Sequence, residues 1–279
     1  DLYSVALHPT GSTLLIGFES SLQLASLLME DVRPVKDFPI RKCTTVRFAN
    51  GGHLFAAGNG AAIHVYESLT GAAVTTLRGH TDRVLSLSWS GDDRFLVSCG
   101  RDGLVVRWHV RSGRAAGQIS YRDMSLTSVD ARHSPAATNA VVCGTDLHAS
   151  RRSSLRVISF PDTEPGSMAI TSGKVGGGMA ALSRRGESPS TVSAVDLGST
   201  VLSSIAVLPS ALGLIASTKT PYSQGSILLT PWPIEEGDDV SVAWETVVSH
   251  QGPVTSITCT PDSRAVVSGG ADGSIHIYR

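Results

Sequence analysis

The chain has 279 residues, of which 23 are Lys or Arg and 24 are Asp or Glu, and its formal net charge is −1. This balance argues against nucleic-acid binding through bulk electrostatics. No apolar run approaches the roughly 20 residues that a membrane helix needs. We therefore expect neither nucleic acid nor a membrane as a partner.

Four cysteines, Cys43, Cys99, Cys143 and Cys259, lie far apart, and each falls in or beside an apolar run. No CxxC pair and no nearby Cys/His spacing suits zinc. The pattern predicts buried, reduced thiols in a cytoplasmic compartment. We expect no metal, cofactor or small-molecule ligand.

Short apolar segments separated by turn residues fill the chain, and no useful stretch has helical periodicity, which predicts an all-β fold. The first unit starts with an inner strand over Asp1–His8. It ends with an outer strand near Val32–Phe38, where Pro34 suits the edge of a sheet. The second unit, TVRFANGGHLFAAGNGAAIHVYES, has Asn59-Gly60 to close a hairpin.

The third unit, GHTDRVLSLSWSGDDRFLVSCGRDGLVVRW, aligns with the sixth, SHQGPVTSITCTPDSRAVVSGGADGSIHIY. In Val84–Trp89 apolar residues share the strand with two serines, a pattern that suits a strand with two unlike faces. Asp102-Gly103 and Asp272-Gly273 then predict tight hairpin turns that need positive φ.

The fourth and fifth units are weaker copies, and the fourth begins near Thr127. Their predicted strands lie around Ala140–Cys143, Leu155–Phe160, Ser204–Leu208, Leu212–Ser217 and Ser226–Pro231. Residues 162–193 are rich in Ser, Gly, Pro and Arg, which predicts a flexible insertion between these two units.

About six units at a spacing of roughly 40–45 residues predict a β-propeller, because sheets of about four strands bury both faces by stacking radially. The predicted blades of this single domain cover approximately residues 1–41, 42–82, 83–123, 124–192, 193–251 and 252–279. Each blade takes its outer strand from the start of the next unit, so the last blade lacks one. We expect flanking sequence to complete a ring of six blades or, as we favour, seven.

Gly79-His80 and Trp108 resemble the GH turn and the tryptophan that characterise the WD-repeat family. The resemblance implies a structural tetrad in which Trp108, Ser98, His80 and Asp102 are hydrogen-bonded in that order. It also implies a partial tetrad in the sixth unit, where Tyr replaces Trp. That tetrad comprises His250, Ser268, Asp272 and Tyr278.

A Ser, a His and an Asp in one unit also suggest a hydrolase triad. The structural interpretation is favoured, because these residues recur at the same offsets in a second unit and no G-x-S-x-G elbow is present. An enzymatic propeller would need converging carboxylates or histidines. The remaining histidines, among them His8, His53, His64, His133 and His148, are scattered. We expect no enzyme.

Longer stretches resemble the second propeller of a ciliary and flagellar family of WD-repeat coiled-coil proteins. They are DLYSVALHPTG, LLMEDVRPVKDFPIR, GGHLFAAGNGAAIHVY and LVSCGRDGLVVRW, and the likeness returns over His250–Tyr278. The resemblance implies a non-catalytic scaffold of the axoneme that helps assemble or anchor inner dynein arms. It also implies dynein-arm and doublet-associated proteins as partners, a coiled coil in the parent chain, and a missing blade from chain preceding Asp1.

The alternative function is a general adaptor outside cilia that reads peptides or modified residues at the top of the central channel. Its candidate contacts are Arg47, Arg83 and Arg101, although solvated arginines are the favoured interpretation. Aromatic residues make up only 5% of the chain, which weakens this alternative.

Overall fold

The computed structural model describes residues 2–28, 31–121, 123–133, 137–146, 153–161, 169–170, 182–183, 189–196, 201–208, 213–218, 225–231, 245–260 and 262–279. All regular secondary structure in these ranges is β-strand. None of these residues forms a helix of the length and hydropathy that a membrane crossing requires.

The strands follow one another at short intervals, as the alternating pattern and the turn residues predict. They are β1 Leu2–Leu7, β2 Thr13–Phe18, β3 Leu22–Leu27, β4 Val32–Phe38, β5 Thr45–Phe48, β6 Leu54–Asn59, β7 Ala62–Glu67, β8 Ala73–Arg78, β9 Val84–Trp89, β10 Phe95–Gly100, β11 Leu104–His109, β12 Arg114–Ser120, β13 Met124–His133, β14 Ala137–Asp146, β15 Ser153–Pro161, β16 Ala169–Ile170, β17 Leu182–Ser183, β18 Ser190–Asp196, β19 Leu202–Val207, β20 Gly213–Thr218, β21 Gly225–Pro231, β22 Glu245–His250, β23 Val254–Cys259, β24 Val266–Gly270 and β25 Ile275–Tyr278.

These strands form six antiparallel meanders that are the blades of a propeller. Five sheets have four strands, in the orders β1-β2-β3-β4, β5-β6-β7-β8, β9-β10-β11-β12, β13-β14-β15-β18 and β19-β20-β21-β22. The last described sheet has three strands, β23-β24-β25, and β16 pairs with β17 in a separate hairpin. The predicted all-β fold of about six blades is therefore confirmed.

The chain divides into two compact units. The first contains Asp1–Arg122 and Pro161–Ser188, and the second contains Asp123–Phe160 and Pro189–Arg279. Each unit holds three of the six sheets. In the first unit, β1 to β12 supply three consecutive sheets that pack face to face.

The strands of the fourth unit extend beyond the sequence prediction. The pattern around Ala140–Cys143 picks out only apolar residues, whereas β14 continues to Asp146, which pairs with Met124 of β13. Backbone pairing therefore extends over polar residues that carry no apolar signal. Residues 190–193, predicted as part of the insertion, belong to strand β18. Apart from β16, β17 and residues 189–193, the predicted insertion lies outside the described residues.

Glycines at two aligned hairpins confirm the predicted need for positive φ. Gly103, between β10 and β11, has φ of 71°, and Gly273, between β24 and β25, has φ of 77°. An L side chain at either position would be strained. The aspartate before each glycine, Asp102 or Asp272, is therefore free to turn its carboxylate back toward the preceding histidine.

Short hydroxyl links join the inner strands of adjacent sheets within each unit. Ser4 Oγ donates to the Cys43 carbonyl oxygen at 2.8 Å, and Thr44 Oγ1 donates to that of Val84 at 2.8 Å. In the second unit, Ser203 Oγ donates to a carbonyl oxygen of the next inner strand, that of Val254. Each hydroxyl lies near the start of the first strand of its sheet. Buried polar groups between blades are thus paired without charged side chains.

An aromatic cluster closes the contact between the first two sheets. Phe55 of β6 is fully buried, and its ring centroid lies 5.3 Å from Phe38, 5.9 Å from Phe48 and 5.3 Å from Tyr66. Phe38 comes from β4 of the first sheet, so the cluster bridges two blades. Offset and edge-to-face contacts of this kind add to simple burial.

We predict that Phe55→Ala lowers the free energy of unfolding by about 3–5 kcal/mol, because it removes the buried centre of this cluster and leaves a cavity. Urea unfolding followed by circular dichroism measures the change. Leu69→Ala is the control, since Leu69 is 94% exposed and its truncation should change stability by about 0.5 kcal/mol or less. Equal losses in the two variants would contradict the packing described.

Candidate functional site

The third sheet contains a buried relay of four side chains. Trp108 Nε1 of β11 donates to Ser98 Oγ of β10 at 2.8 Å. Ser98 Oγ lies 2.7 Å from His80 Nε2, and His80 Nδ1 lies 3.0 Å from Asp102 Oδ2. Because an ionised carboxylate only accepts, Nδ1 of His80 carries the hydrogen, and a neutral ring then accepts at Nε2 from the Ser98 hydroxyl.

The relay has little access to solvent. His80 is 7% exposed, Ser98 0% and Trp108 2%, and the Asp102 side chain is 4% exposed. Each donor and acceptor is used within the relay, so the Ser98 hydroxyl is not presented to a substrate. This arrangement holds the turn before β9 against strands β10 and β11.

A close approach of the Trp108 ring accounts for the glycine before His80. A Cβ atom on Gly79 would lie 2.8 Å from Cη2 of Trp108, closer than real Cβ contacts allow. The Gly-His pair therefore serves two purposes. The glycine makes room for the indole ring, and the histidine fills the polar position behind it.

The pKa of Asp102 reflects two opposing effects. Burial raises the pKa, whereas the hydrogen bond and the charge of His80 lower it. The backbone N–H groups of Thr81 and Leu104 also donate to the carboxylate, at 2.8 Å and 3.1 Å. The net pKa lies below the ordinary value of 3.8, so the folded state favours the ionised form.

The sixth sheet brings together three of the four residues of the expected partial tetrad. His250 Nε2 lies 2.6 Å from Ser268 Oγ, and His250 Nδ1 lies 3.8 Å from the Asp272 carboxylate. Ser274 Oγ occupies the gap, at 2.9 Å from His250 Nδ1, and donates to Asp272 at 2.6 Å. The hydrogen bonds from the Ser274 hydroxyl and backbone N–H lower the pKa of Asp272.

Tyr278 lies outside this network, contrary to its expected place in the partial tetrad. Its hydroxyl is 2.8 Å from His276 Nδ1. The His276 ring stacks on His250 with centroids 4.2 Å apart, and His276 pairs with Ser268 in the strand register. His276 therefore covers the histidine from above, and the phenol hydroxyl, at the far end of its ring, bonds to His276 and not to Ser268.

The candidate arginines separate into two places. The Arg101 backbone N–H donates to the Arg83 carbonyl oxygen at 2.9 Å, so these residues lie together. The Arg47 carbonyl oxygen accepts from Trp89 Nε1 at 3.2 Å. Trp89 is the last residue of β9, whereas Arg83 precedes its first residue. All three arginines are exposed, and the structure brings Arg83 and Arg101 together but leaves Arg47 apart.

Two features were not predicted from the sequence. Ser274 directly follows the Asp-Gly turn, and its small hydroxyl side chain next to an aspartate was the available signal. The hydroxyl links between inner strands could have been found by noting that Ser4, Thr44 and Ser203 occupy similar positions in their units.

The cysteines and the metal-binding residue types form no evident reactive centre in the described residues. Cys43, Cys99 and Cys143 are buried, whereas Cys259 is only partly buried. Burial raises the pKa of the Cys143 thiol to about 11, which keeps it protonated. Within the described ranges, no three or more His, Cys, Asp or Glu side chains are grouped to hold a metal ion.

We predict that Ser98→Ala lowers the free energy of unfolding by about 1–3 kcal/mol, because the Trp108 N–H and His80 Nε2 both lose a buried partner. Ser268→Ala is the matched variant in the sixth sheet, where no tryptophan donates to the serine, and its loss should be smaller. Urea unfolding of both variants measures the difference. A loss from Ser268→Ala as large as that from Ser98→Ala would rule out the contribution of the Trp108 bond.

We predict that acid destabilises the wild type more steeply than Asp102→Asn. Because the folded pKa of Asp102 is lowered, its ionised form stabilises the fold above the ordinary value of 3.8. This contribution is lost as the pH falls through the lower folded pKa. The free energy of unfolding, measured between about pH 6 and pH 3, should converge for the two proteins at the acid end. Parallel curves would show that Asp102 does not contribute through its charge.

The comparisons with known proteins agree with this geometry. The family model described as WD domain, G-beta repeat matches residues 71–109 and 244–279, which contain both relays. Cilia- and flagella-associated protein 57 of Mus musculus is 39% identical over 146 residues, 52% of this chain. Cilia- and flagella-associated protein 57 A of Tetrahymena thermophila is 30% identical over 142 residues, 50% of this chain.

Other relatives have shorter matches. Set1 complex component swd1 of Schizosaccharomyces pombe is 33% identical over 78 residues, which is 27% of this chain and 19% of that protein. The two ciliary relatives are matched over only 12% and 11% of their own lengths. The repeats, the six sheets and these matches identify the chain as a WD-repeat β-propeller similar to cilia- and flagella-associated protein 57.

Proposed function

We propose that this propeller is a non-catalytic protein-interaction scaffold of the ciliary or flagellar axoneme that helps assemble or anchor inner dynein arms. The main support is the 39% identity over 146 residues to mouse cilia- and flagella-associated protein 57. Two Tetrahymena thermophila proteins of the same name, A and C, are 30% and 35% identical over 142 and 121 residues. The proposed partners are axonemal dynein-arm and doublet-associated proteins.

The chemistry of the relays supports a non-catalytic function. The Ser98 hydroxyl is fully buried and receives the Trp108 N–H, so it has no open path to a substrate. The His80 nitrogens are both occupied within the sheet. These polar groups fix the turns of the blade, and a scaffold needs such fixed turns because binding to a preformed surface loses less conformational entropy.

A general adaptor outside cilia is the second candidate. It is supported by matches to relatives whose names are not ciliary, such as Set1 complex component swd1 and U4/U6 small nuclear ribonucleoprotein PRP4. Its expected arginine cluster is reduced to Arg83 and Arg101, since Arg47 lies apart from them. The experiment below distinguishes the two candidates.

We predict that the full-length protein captures inner-arm dynein subunits or doublet proteins from axonemal extract, and that removing residues 1–279 abolishes this capture. Mass spectrometry of the bound proteins measures the loss. Leu69→Ala in the full-length protein is the matched control, because Leu69 lies on an exposed turn and is 94% exposed. It should leave the bound set unchanged.

An unchanged bound set after the deletion would overturn the scaffold proposal for this propeller. Absence of the full-length protein from cilia, seen by imaging a tagged copy, would overturn the ciliary proposal and favour the general adaptor.

A further inference from the structure

A groove of about 550 Å³ lies between the second and third sheets of the first unit. Its walls come from residues at the start of β6 and in β8, and from the β9–β10 and β11–β12 turns. It opens at the end of β9 opposite to Arg83 and Arg101, so it is separate from the predicted top-face contacts. The relays do not contribute to it.

The groove has an apolar floor. Leu54, Val74 and Val110 line it, and Val74 remains 49% exposed although it belongs to strand β8. These side chains come from two adjacent blades, and the spacing of the blades fixes the width of the floor. A single aliphatic side chain of a partner would bury area here without any movement of the backbone.

The two acidic side chains of the groove are already engaged by the chain itself. Asp93 accepts from the backbone N–H groups of Asn50 and Gly51, each at 2.7 Å, and from Asn50 Nδ2 at 2.9 Å. Its side chain is only 9% exposed. Asp92 Oδ1 accepts from Ser90 Oγ at 2.6 Å and from the Arg94 N–H at 3.1 Å. Both carboxylates hold the turns in place.

The side chains that present charge at the rim are basic. Arg94 and Arg111 are exposed, and the Arg94 guanidinium lies 5.8 Å from the centre of the Phe95 ring. His53 and His109 line the same groove, and His109 contacts the edge of Phe95 at 5.5 Å. A carboxylate entering the groove would therefore meet two guanidinium groups and two imidazoles.

From this charge complementarity we propose that the groove between β8 and β11 binds an acidic linear peptide segment of a partner protein. An aliphatic side chain of the segment rests on Leu54, Val74 and Val110, and flanking Asp or Glu carboxylates pair with Arg94 and Arg111. The inference rests on the proposed scaffold function, since it names the chemistry of a partner that the scaffold would hold.

The test is selection of a phage-displayed random 12-residue peptide library on the full 279-residue chain. We expect selected peptides to be enriched in an aliphatic residue flanked by Asp or Glu. Arg94→Glu combined with Arg111→Glu should weaken binding of these peptides about tenfold or more, measured by fluorescence anisotropy. Val74→Asp should weaken it similarly, whereas Val35→Asp, on the exposed strand β4, is the matched control and should bind normally.

Three outcomes would overturn the groove proposal. They are selection of no acidic peptide, binding that survives charge reversal of Arg94 and Arg111, or binding that is lost instead with Arg83→Glu and Arg101→Glu. The third outcome would place peptide binding at the opposite end of β9. Melting temperatures of all variants separate lost binding from lost folding. If the axonemal capture succeeds while the selection fails, the scaffold function stands and only the groove is wrong.

Discussion

The buried hydrogen bond between Ser98 and His80 is the interaction on which the third blade depends. A sheet that is covered on both faces has no water to satisfy its polar side chains, so each must find a partner in the protein. Ser98 receives Trp108 from the neighbouring strand and meets His80 from the preceding turn. One hydroxyl thus connects two strands and a turn, and Asp102 fixes the other side of the imidazole.

The fixed turns determine what the surface can offer. At one end of β9 the relay holds the turns that carry Arg83 and Arg101. At the other end, Asp93 binds the Asn50-Gly51 turn of the adjacent blade through three hydrogen bonds. The second and third sheets are therefore joined at a polar edge, while their faces meet through buried apolar residues. The groove is the space that this joint leaves open between the two blades.

Local features of the fold were predictable from the sequence, because their causes are local. The alternation in Val84–Trp89 and the edge proline in Val32–Phe38 gave strands whose bounds agree with the structure. The relay could be predicted from the repeated offsets and the family resemblance together. Features that depend on strand register could not be predicted. Tyr278 bonds to His276 because of how β25 pairs with β24, and no sequence spacing states that register.

The hydroxyl links between inner strands have a consequence for how the blades can vary. Ser4 and Thr44 each donate to a backbone carbonyl oxygen of the next sheet, and every residue type carries that acceptor. The receiving blade can therefore change its side chains without losing the joint, provided that its backbone keeps its path. This asymmetry lets neighbouring blades diverge independently, so a blade that has lost the recognisable repeat signature can still be held in its place.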